Sequence, residues 1–491
     1  MCPAMNTMRG VGVFPCNVVR VRRQCSRIHH HSSSFHNNNN GRTMRKCFVV
    51  RNSSSKLDDG DDDAEADVIV IGSGIGGLSC AAMLARYEQD VVLLESHDVA
   101  GGAAHSFDVK GYKFDSGPSL FSGLQSRGPQ ANPLAQVLDA LGESVPCATY
   151  DSWMVYVPEA DFLSRIGPTE FLKDLQNYAG PEAVREWQKL LVYMFAEWYK
   201  PGGCLEYPLD GAAGIVDALV RGLKKFGGRI YLQSHVEKIV VENERAIGVK
   251  LRSGRFIRAK KAVVSNASMW DTLKLLPQEV ISKSYSDRIN TTRQCESFMH
   301  LHLGFDAEGI RSDLGIHHIV VNDWERGVDA DQNVVLISVP SVLSPNLAPI
   351  GKHVLHAYLP GTEPFELWEG LDRRSAEYKN LKDQRSEIMW KAVERAVGTG
   401  FSREKCEVKL VGSPLTHQRF LRRNRGTYGP AMQAGKDTFP GHSTPIPHLY
   451  CCGDSTFPGI GVPAVAASGA IVANSLVSVS QHSQLLDAIG I

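Results

Sequence analysis

Asp67-Val68-Ile69-Val70-Ile71-Gly72-Ser73-Gly74-Ile75-Gly76-Gly77 opens the stretch that decides the fold, and Glu95 closes it. A β-branched run bounded by glycines predicts a strand buried on both faces. Leu78, Ala81, Ala82 and Ala85 then recur at helical spacing, so a helix starts inside the glycine cluster. A second apolar run, Val91-Val92-Leu93-Leu94, ends in the acid Glu95. Together these make a β-α-β unit with Gly72-x-Gly74-x-x-Gly77 at its first turn, and they predict dinucleotide binding. Gly72 permits the tight turn, Gly74 lets a pyrophosphate reach the backbone, and Gly77 lets helix and strand pack closely. Ile75 and Gly76 fall at the helix N-terminus, whose unpaired N–H groups suit phosphates. Glu95 stands where a carboxylate can accept the hydroxyl hydrogens of an adenosine ribose. A flexible glycine loop would explain none of these flanks.

Upstream, residues 1–57 hold no Asp or Glu and ten of the chain's 53 basic residues, leaving 43 basic against 53 acidic in the remainder. The head is rich in Arg, Ser and Asn, including Ser32-Ser33-Ser34 and Asn37-Asn38-Asn39-Asn40, the composition of an organellar transit peptide. A disordered basic arm for membranes or nucleic acid is the rival reading. The acidic run Asp58-Asp59-Gly60-Asp61-Asp62-Asp63 reads as a linker. With 491 residues and ordinary apolar content, the chain has room for two or more domains. The mildly acidic body argues against a nucleic-acid partner. Beyond the head no cysteines are spaced Cys-x-x-Cys, which speaks against a zinc or dithiol motif, and Cys451-Cys452 reads as core.

Downstream of Glu95 come Gly101-Gly102-Ala103 and then Gly111-Tyr112-Lys113-Phe114-Asp115-Ser116-Gly117-Pro118. Near the C-terminus stands Leu449-Tyr450-Cys451-Cys452-Gly453-Asp454-Ser455-Thr456-Phe457-Pro458-Gly459-Ile460-Gly461-Val462-Pro463, a strand, glycine turn and acid before a small-residue helix. With these pieces the chain resembles the flavin-dependent phytoene desaturase, carotenoid isomerase and retinol saturase family over roughly residues 66–480. The resemblance implies FAD as cofactor. Gly101 and Gly102 would form a second flavin-contacting motif, with Ala103 where the family often has Arg. The Val236 backbone would face the adenine. Gly453 and Asp454 would hold the ribityl and pyrophosphate region, and Gly461, Val462 and Pro463 would lie against the isoalloxazine.

Between these anchors, Val216, Leu219, Val220 and Leu223 mark a helix after a glycine-rich turn at 205–214. Strand-like runs follow at Phe298–Gly304, Ile316–Val321, Val334–Val339 and His353–Leu359, then a long helix through Ile388, Trp390, Val393 and Val397. His300 and His302 share a strand face, and His317-His318 form a second pair. No carboxylate completes a metal site at these spacings, so none is assigned. The uncharged segment from Ser455 to Leu486 carries Pro458, Pro463 and many small residues, which fits a buried helix beside a cofactor and not a membrane span.

The expected fold is therefore α/β, a Rossmann-like, amine-oxidase-like FAD-binding fold with an inserted mixed α+β substrate domain. Residues 1–63 are assigned to the transit peptide and linker, 64–122, 207–270 and 412–491 to the cofactor domain, and 123–206 and 271–411 to the substrate domain. The resemblance implies cis–trans isomerisation or desaturation of a carotenoid-like polyene in the chloroplast. It implies a lipophilic substrate, peripheral contact with a membrane surface as an open question, no nucleic acid, and a redox partner the sequence does not name. No catalytic side chain is legible. Three other readings stand beside it: another flavin oxidase such as an amine oxidase, a catalytically impaired flavin-binding protein, and an NAD-dependent dehydrogenase. Family members carry extra helices where Leu190 through Trp198 here runs straight on, so the resemblance also implies a missing helical block.

Overall fold

The computed structural model describes residues 65–191, 204–433 and 435–490. Most of the stretch where a helical block is expected to be missing, Leu190 through Trp198, lies outside them, as do the basic head and acidic linker. Strand β1 (Glu65–Ile71), helix α1 (Ile75–Arg86) and strand β2 (Val91–Leu94) form the β-α-β unit that the opening stretch predicts. Side chains alternate across a strand, and β1 buries both sets. Val68 and Val70 pack with α1, whereas Ile69 and Ile71 join a separate cluster on the other face.

The sheet runs in the order Arg229–Tyr231, β2, β1, β3 (Phe256–Ser265), Arg245–Leu251, Val236–Glu242, and Leu449–Cys451 also pairs with β3. The pairings around β1 are parallel, and the two outer strands turn back antiparallel. Helices α2 (Pro133–Leu141), α3 (Ala212–Lys225) and, further on, Val462–Ser475 pack on α1 over one face. Helix α2 comes from the stretch that the sequence assigns to the substrate domain, and Leu134, Val137, Leu138 and Leu141 place it in the cofactor core. The segment 205–214, read as a glycine-rich turn, begins instead as a strand, Leu205–Pro208. It pairs with Phe121–Ser122 and Cys147–Tyr150 before Gly211 turns the chain into α3.

A second sheet of seven strands centres on β4 (Ser297–Asp306) and β5 (Lys352–Glu363), paired antiparallel with His302 opposite His356. Met299, Leu301 and Leu303 turn toward the long helix Ala376–Val397, which covers that face. The strand Val408–Gly412 edges this sheet, and helix α4 (Pro414–Leu421) packs on β4, so the chain from 412 to 421 stays with the second sheet. Phe298, His300 and His302 occupy the face opposite Met299, turned away from the long helix. Helix α5 (Val462–Ser475) returns the chain to α1. No helix among the described residues is long and apolar enough to cross a membrane.

Candidate functional site

The first turn of α1 is enclosed by backbone on several sides. A Cβ on Gly77 would lie 2.1 Å from the Gly72 carbonyl oxygen, so helix and strand approach to a distance only glycine allows. A Cβ on Gly76 would stand 3.1 Å from the Gly453 Cα and 2.8 Å from Asn266 Oδ1. Gly101 and Gly102 complete the cradle. Gly101 N–H donates to the Ser73 carbonyl at 3.0 Å, and a Gly102 Cβ would come 3.0 Å from the Gly74 Cα. Residues 72–77, 101–102 and 453, separated by hundreds of positions, thus meet around the helix N-terminus, where unpaired N–H groups favour an anion. Asn266, just after β3, is where a Cβ added to Gly72, Gly74, Gly76, Gly77 or Gly453 would land, within 2.7–3.8 Å. Its position after a buried strand was on view in the sequence, but nothing there marked its side chain.

Glu95 is buried, at 8% exposure, and already bonded. Its Oε2 accepts from Ser73 N–H at 2.8 Å and Ser73 Oγ at 2.6 Å, while Oε1 accepts from His97 N–H at 2.8 Å. A carboxylate offers about four lone-pair sites, and Ser96 Oγ also donates to Oε1 at 3.3 Å, so a ribose hydroxyl at Oε1 would take the place of that rotatable serine hydroxyl. The Ser234 N–H donates to the Glu95 carbonyl at 2.7 Å, which brings the start of the Val236 strand to this edge. Ser73 was missed because a serine inside a glycine loop carries no sequence signal for holding an acid 22 residues away.

A cavity of about 670 Å³ begins at Gly74, Ile75 and Gly76 and includes Gly101, Ala103, Gly453, Asp454, Gly461, Val462 and Pro463 in its wall. Ten of the fifteen residues expected to bind cofactor therefore border one space. Gly72, Gly77, Glu95, Gly102 and Val236 lie outside that wall. A second, polar cavity of about 500 Å³ is bordered by His97, Lys274 and Arg422, and Arg423 belongs to both. The volumes and the glycine cradle suit a long dinucleotide with one polar and one aromatic end. The Asp454 carboxylate accepts a hydrogen bond from the Arg423 guanidinium, an ion pair the sequence did not suggest. Burial pushes the Cys451 thiol up to about 12, consistent with a core residue and not a reactive one.

A model of flavin-containing amine oxidoreductases matches residues 183–477, and one of NAD(P)-binding Rossmann-like domains matches 70–141. The chain belongs to the flavin-containing amine oxidoreductase family. Its cofactor is FAD, and it is an FAD-dependent oxidoreductase. The chloroplastic prolycopene isomerase of Arabidopsis thaliana is 30% identical, over 86% of this chain and 84% of that protein. A phytoene desaturase of Fusarium fujikuroi is 24% identical over 84% and 90%. Among solved structures, an oxidoreductase from Methanosarcina mazei superposes with TM-score 0.59 at 20% identity, over 84% of this chain and all of the other. Putrescine oxidase does so with TM-score 0.55 at 13% identity, over 84% and 99%. Likeness at these identities shows the shared fold.

At its far end the flavoprotein's cavity meets Phe298, Leu336 and Tyr358, and behind them lies a group of buried histidines. Ring nitrogens of His300, His302 and His356 come within 4.8 Å of one another. His300 Nδ1 and His356 Nε2 are 2.6 Å apart, a hydrogen bond, and the three rings lie within 14° of parallel. Two nitrogens on one tetrahedral ion at 2.0–2.1 Å would stand about 3.4 Å apart with converging rings. The arrangement is thus a stacked, hydrogen-bonded set of imidazoles. Burial pushes His302 down to about 4 and His417 down to about 3, and it holds His300 and His356 well below the ordinary range. All four are neutral at neutral pH. His302 Nε2–H donates to the Asp115 carbonyl at 3.1 Å, which ties this sheet to the cofactor side.

Two outcomes follow from this geometry. Because the folded histidines hold protons less well than unfolded ones, the unfolded chain binds more protons at these groups below about pH 6.5, so their contribution to stability falls as pH drops through that value and levels off above it. Each such histidine contributes a slope approaching about 1.4 kcal/mol per pH unit between its folded and unfolded pKa. His302→Gln keeps a donor for Asp115 and removes one titrating group. Urea unfolding from pH 7.5 to 5 is expected to give a shallower slope for the variant, and an unchanged slope would count against the buried neutral state. The second outcome concerns Glu95→Ala, which removes charge-assisted acceptors worth about 1.5–3 kcal/mol each. Fluorescence titration is expected to show FAD binding roughly 30- to 150-fold weaker. Wild-type affinity would remove Glu95 from the ribose.

Proposed function

We propose that this flavoenzyme acts on a carotenoid-like polyene and catalyses its cis–trans isomerisation, with desaturation as the neighbouring reaction of the same site. The observation that carries the reading is the character of the cavity beyond the cradle. Leu120, Phe121, Leu134, Phe298, Leu336 and Tyr358 border it, and its one wall carboxylate among the described residues, Asp454, is already paired with Arg423. A protonated amine would find no free anion there, whereas an uncharged polyene needs only apolar walls. The similarity to prolycopene isomerases and to a phytoene desaturase supports the same substrate class.

When bound, the flavin supplies the hydride or electron-pair chemistry that a conjugated chain requires. The cradle glycines hold the dinucleotide with their backbone, and Val462 and Pro463 bring the N-terminus of α5 to the same cavity. Phe298 and Tyr358 align the polyene and exclude water. The neutral histidines behind them keep this wall uncharged. The cofactor-contacting roles of Gly72 through Gly77, Glu95, Gly101 through Ala103, Val236, Gly453, Asp454 and Gly461 through Pro463 are part of this proposal, as is the division into a cofactor and a substrate domain.

The decisive experiment is anaerobic incubation with a poly-cis carotenoid, comparing oxidised with photoreduced protein and following product and flavin spectrum together. Isomer formed only with reduced flavin, without net flavin oxidation, is expected. A more conjugated product with stoichiometric bleaching of oxidised flavin would move the reading to desaturation. No product in either state with FAD bound would overturn it. We further propose that the acid-free head directs the protein to chloroplasts, a reading supported by the chloroplastic relatives. A fluorescent reporter carrying residues 1–63 is expected in chloroplasts, and a cytosolic reporter would remove that claim.

A further inference from the structure

We infer that Arg423 is a cofactor-binding residue whose guanidinium takes a phosphate oxygen of the FAD pyrophosphate. The sequence-assigned contacts include two carboxylates, Glu95 and Asp454, and no cation, although the pyrophosphate is anionic on both phosphorus atoms. The fold supplies the missing charge from a distant segment. Asp454 follows Gly453, whose Cα would stand 3.1 Å from a Cβ on Gly76, so this turn abuts the first turn of α1. Arg423 is bonded to Asp454 and is therefore held at the end of the helix where phosphates are favoured.

The side chain is fixed in place. Its Nε donates to the Thr427 carbonyl at 2.5 Å, Nη2 donates to Asp454, and the guanidinium lies 5.3 Å from the Tyr428 ring centroid. Among the described residues Nη1 makes no hydrogen bond. The Arg423 side chain is 19% exposed, and it borders both the aromatic cavity and the polar one. A dinucleotide that places its flavin in the first and its adenosine toward Glu95 crosses this boundary with its pyrophosphate. Lys274, Arg419 and Arg422 border the polar side against the single acid Asp271, so the local field also favours an anion.

The competing explanation is that Arg423 serves only to neutralise the partly buried Asp454. A double-mutant comparison separates the two. FAD affinity is measured by flavin fluorescence on apoprotein of the wild type, Arg423→Met, Asp454→Asn and the double variant, with calorimetry reporting folding. Loss of one charged hydrogen-bond partner is expected to weaken FAD by about 10- to 100-fold in Arg423→Met. The double variant is expected to bind more weakly than Asp454→Asn by a similar factor, and the dependence on KCl should flatten wherever Arg423 is absent. Equal affinity of the double variant and Asp454→Asn would overturn the assignment. If Arg423→Met leaves an uncompensated acid and fails to fold, the double variant strands no charge and carries the same comparison. Because no polyene enters the assay, its outcome is independent of the proposed substrate.

Discussion

The structure depends on one close approach, the seating of the first turn of α1 against the backbone of three other segments. Gly77 meets the carbonyl of Gly72, Gly76 meets Gly453, and Gly74 meets Gly102. A Cβ at 77 would have to displace a carbonyl oxygen fixed in β1, and backbone does not yield as a flexible side chain can. The same absence of side chains leaves the helix N-terminus open to a phosphate. Tight packing and an open helix N-terminus are therefore one constraint.

Around that cradle the protein divides its polarity. The side of Glu95 is charged, with Glu95 held by Ser73 and His97 and with arginines gathered on the segment after α4. The side of the larger cavity gives way to Leu, Phe and Tyr and then to imidazoles that burial keeps neutral. A charged histidine there would be desolvated without a partner, at a cost that stacking alone does not offset. The hydrogen bond from His302 to the Asp115 carbonyl joins this wall to the chain just after the glycine pair, and so couples the second sheet to the cofactor layer.

Much of the cofactor layer was legible because its signals are local. An unbroken β-branched run, helical spacing from Leu78 to Ala85 and a terminal acid at Glu95 each follow from period and turn chemistry within a few residues. The strand runs at 298–304, 316–321, 334–339 and 353–359 and the long helix after them were equally readable, and all form. The segment 205–208 was misread because Gly211 and Gly214 dominated a short strand whose partners lie at 121–122 and 147–150. Helix α2 went unread within a stretch assigned to the substrate domain, because which layer an apolar stripe joins is set by its packing partners.

The sequence alone determined the β1–α1 glycine turn and the expectation of a dinucleotide there, and resemblance over the two glycine motifs pointed to FAD. Tertiary structure decided which charges and rings stand together. Arg423 and Asp454 are 31 residues apart, His300 and His356 are 56 apart, and Glu95 and Ser73 are 22 apart. No periodicity links such positions, because their proximity arises from how separate elements pack and not from any step along the chain.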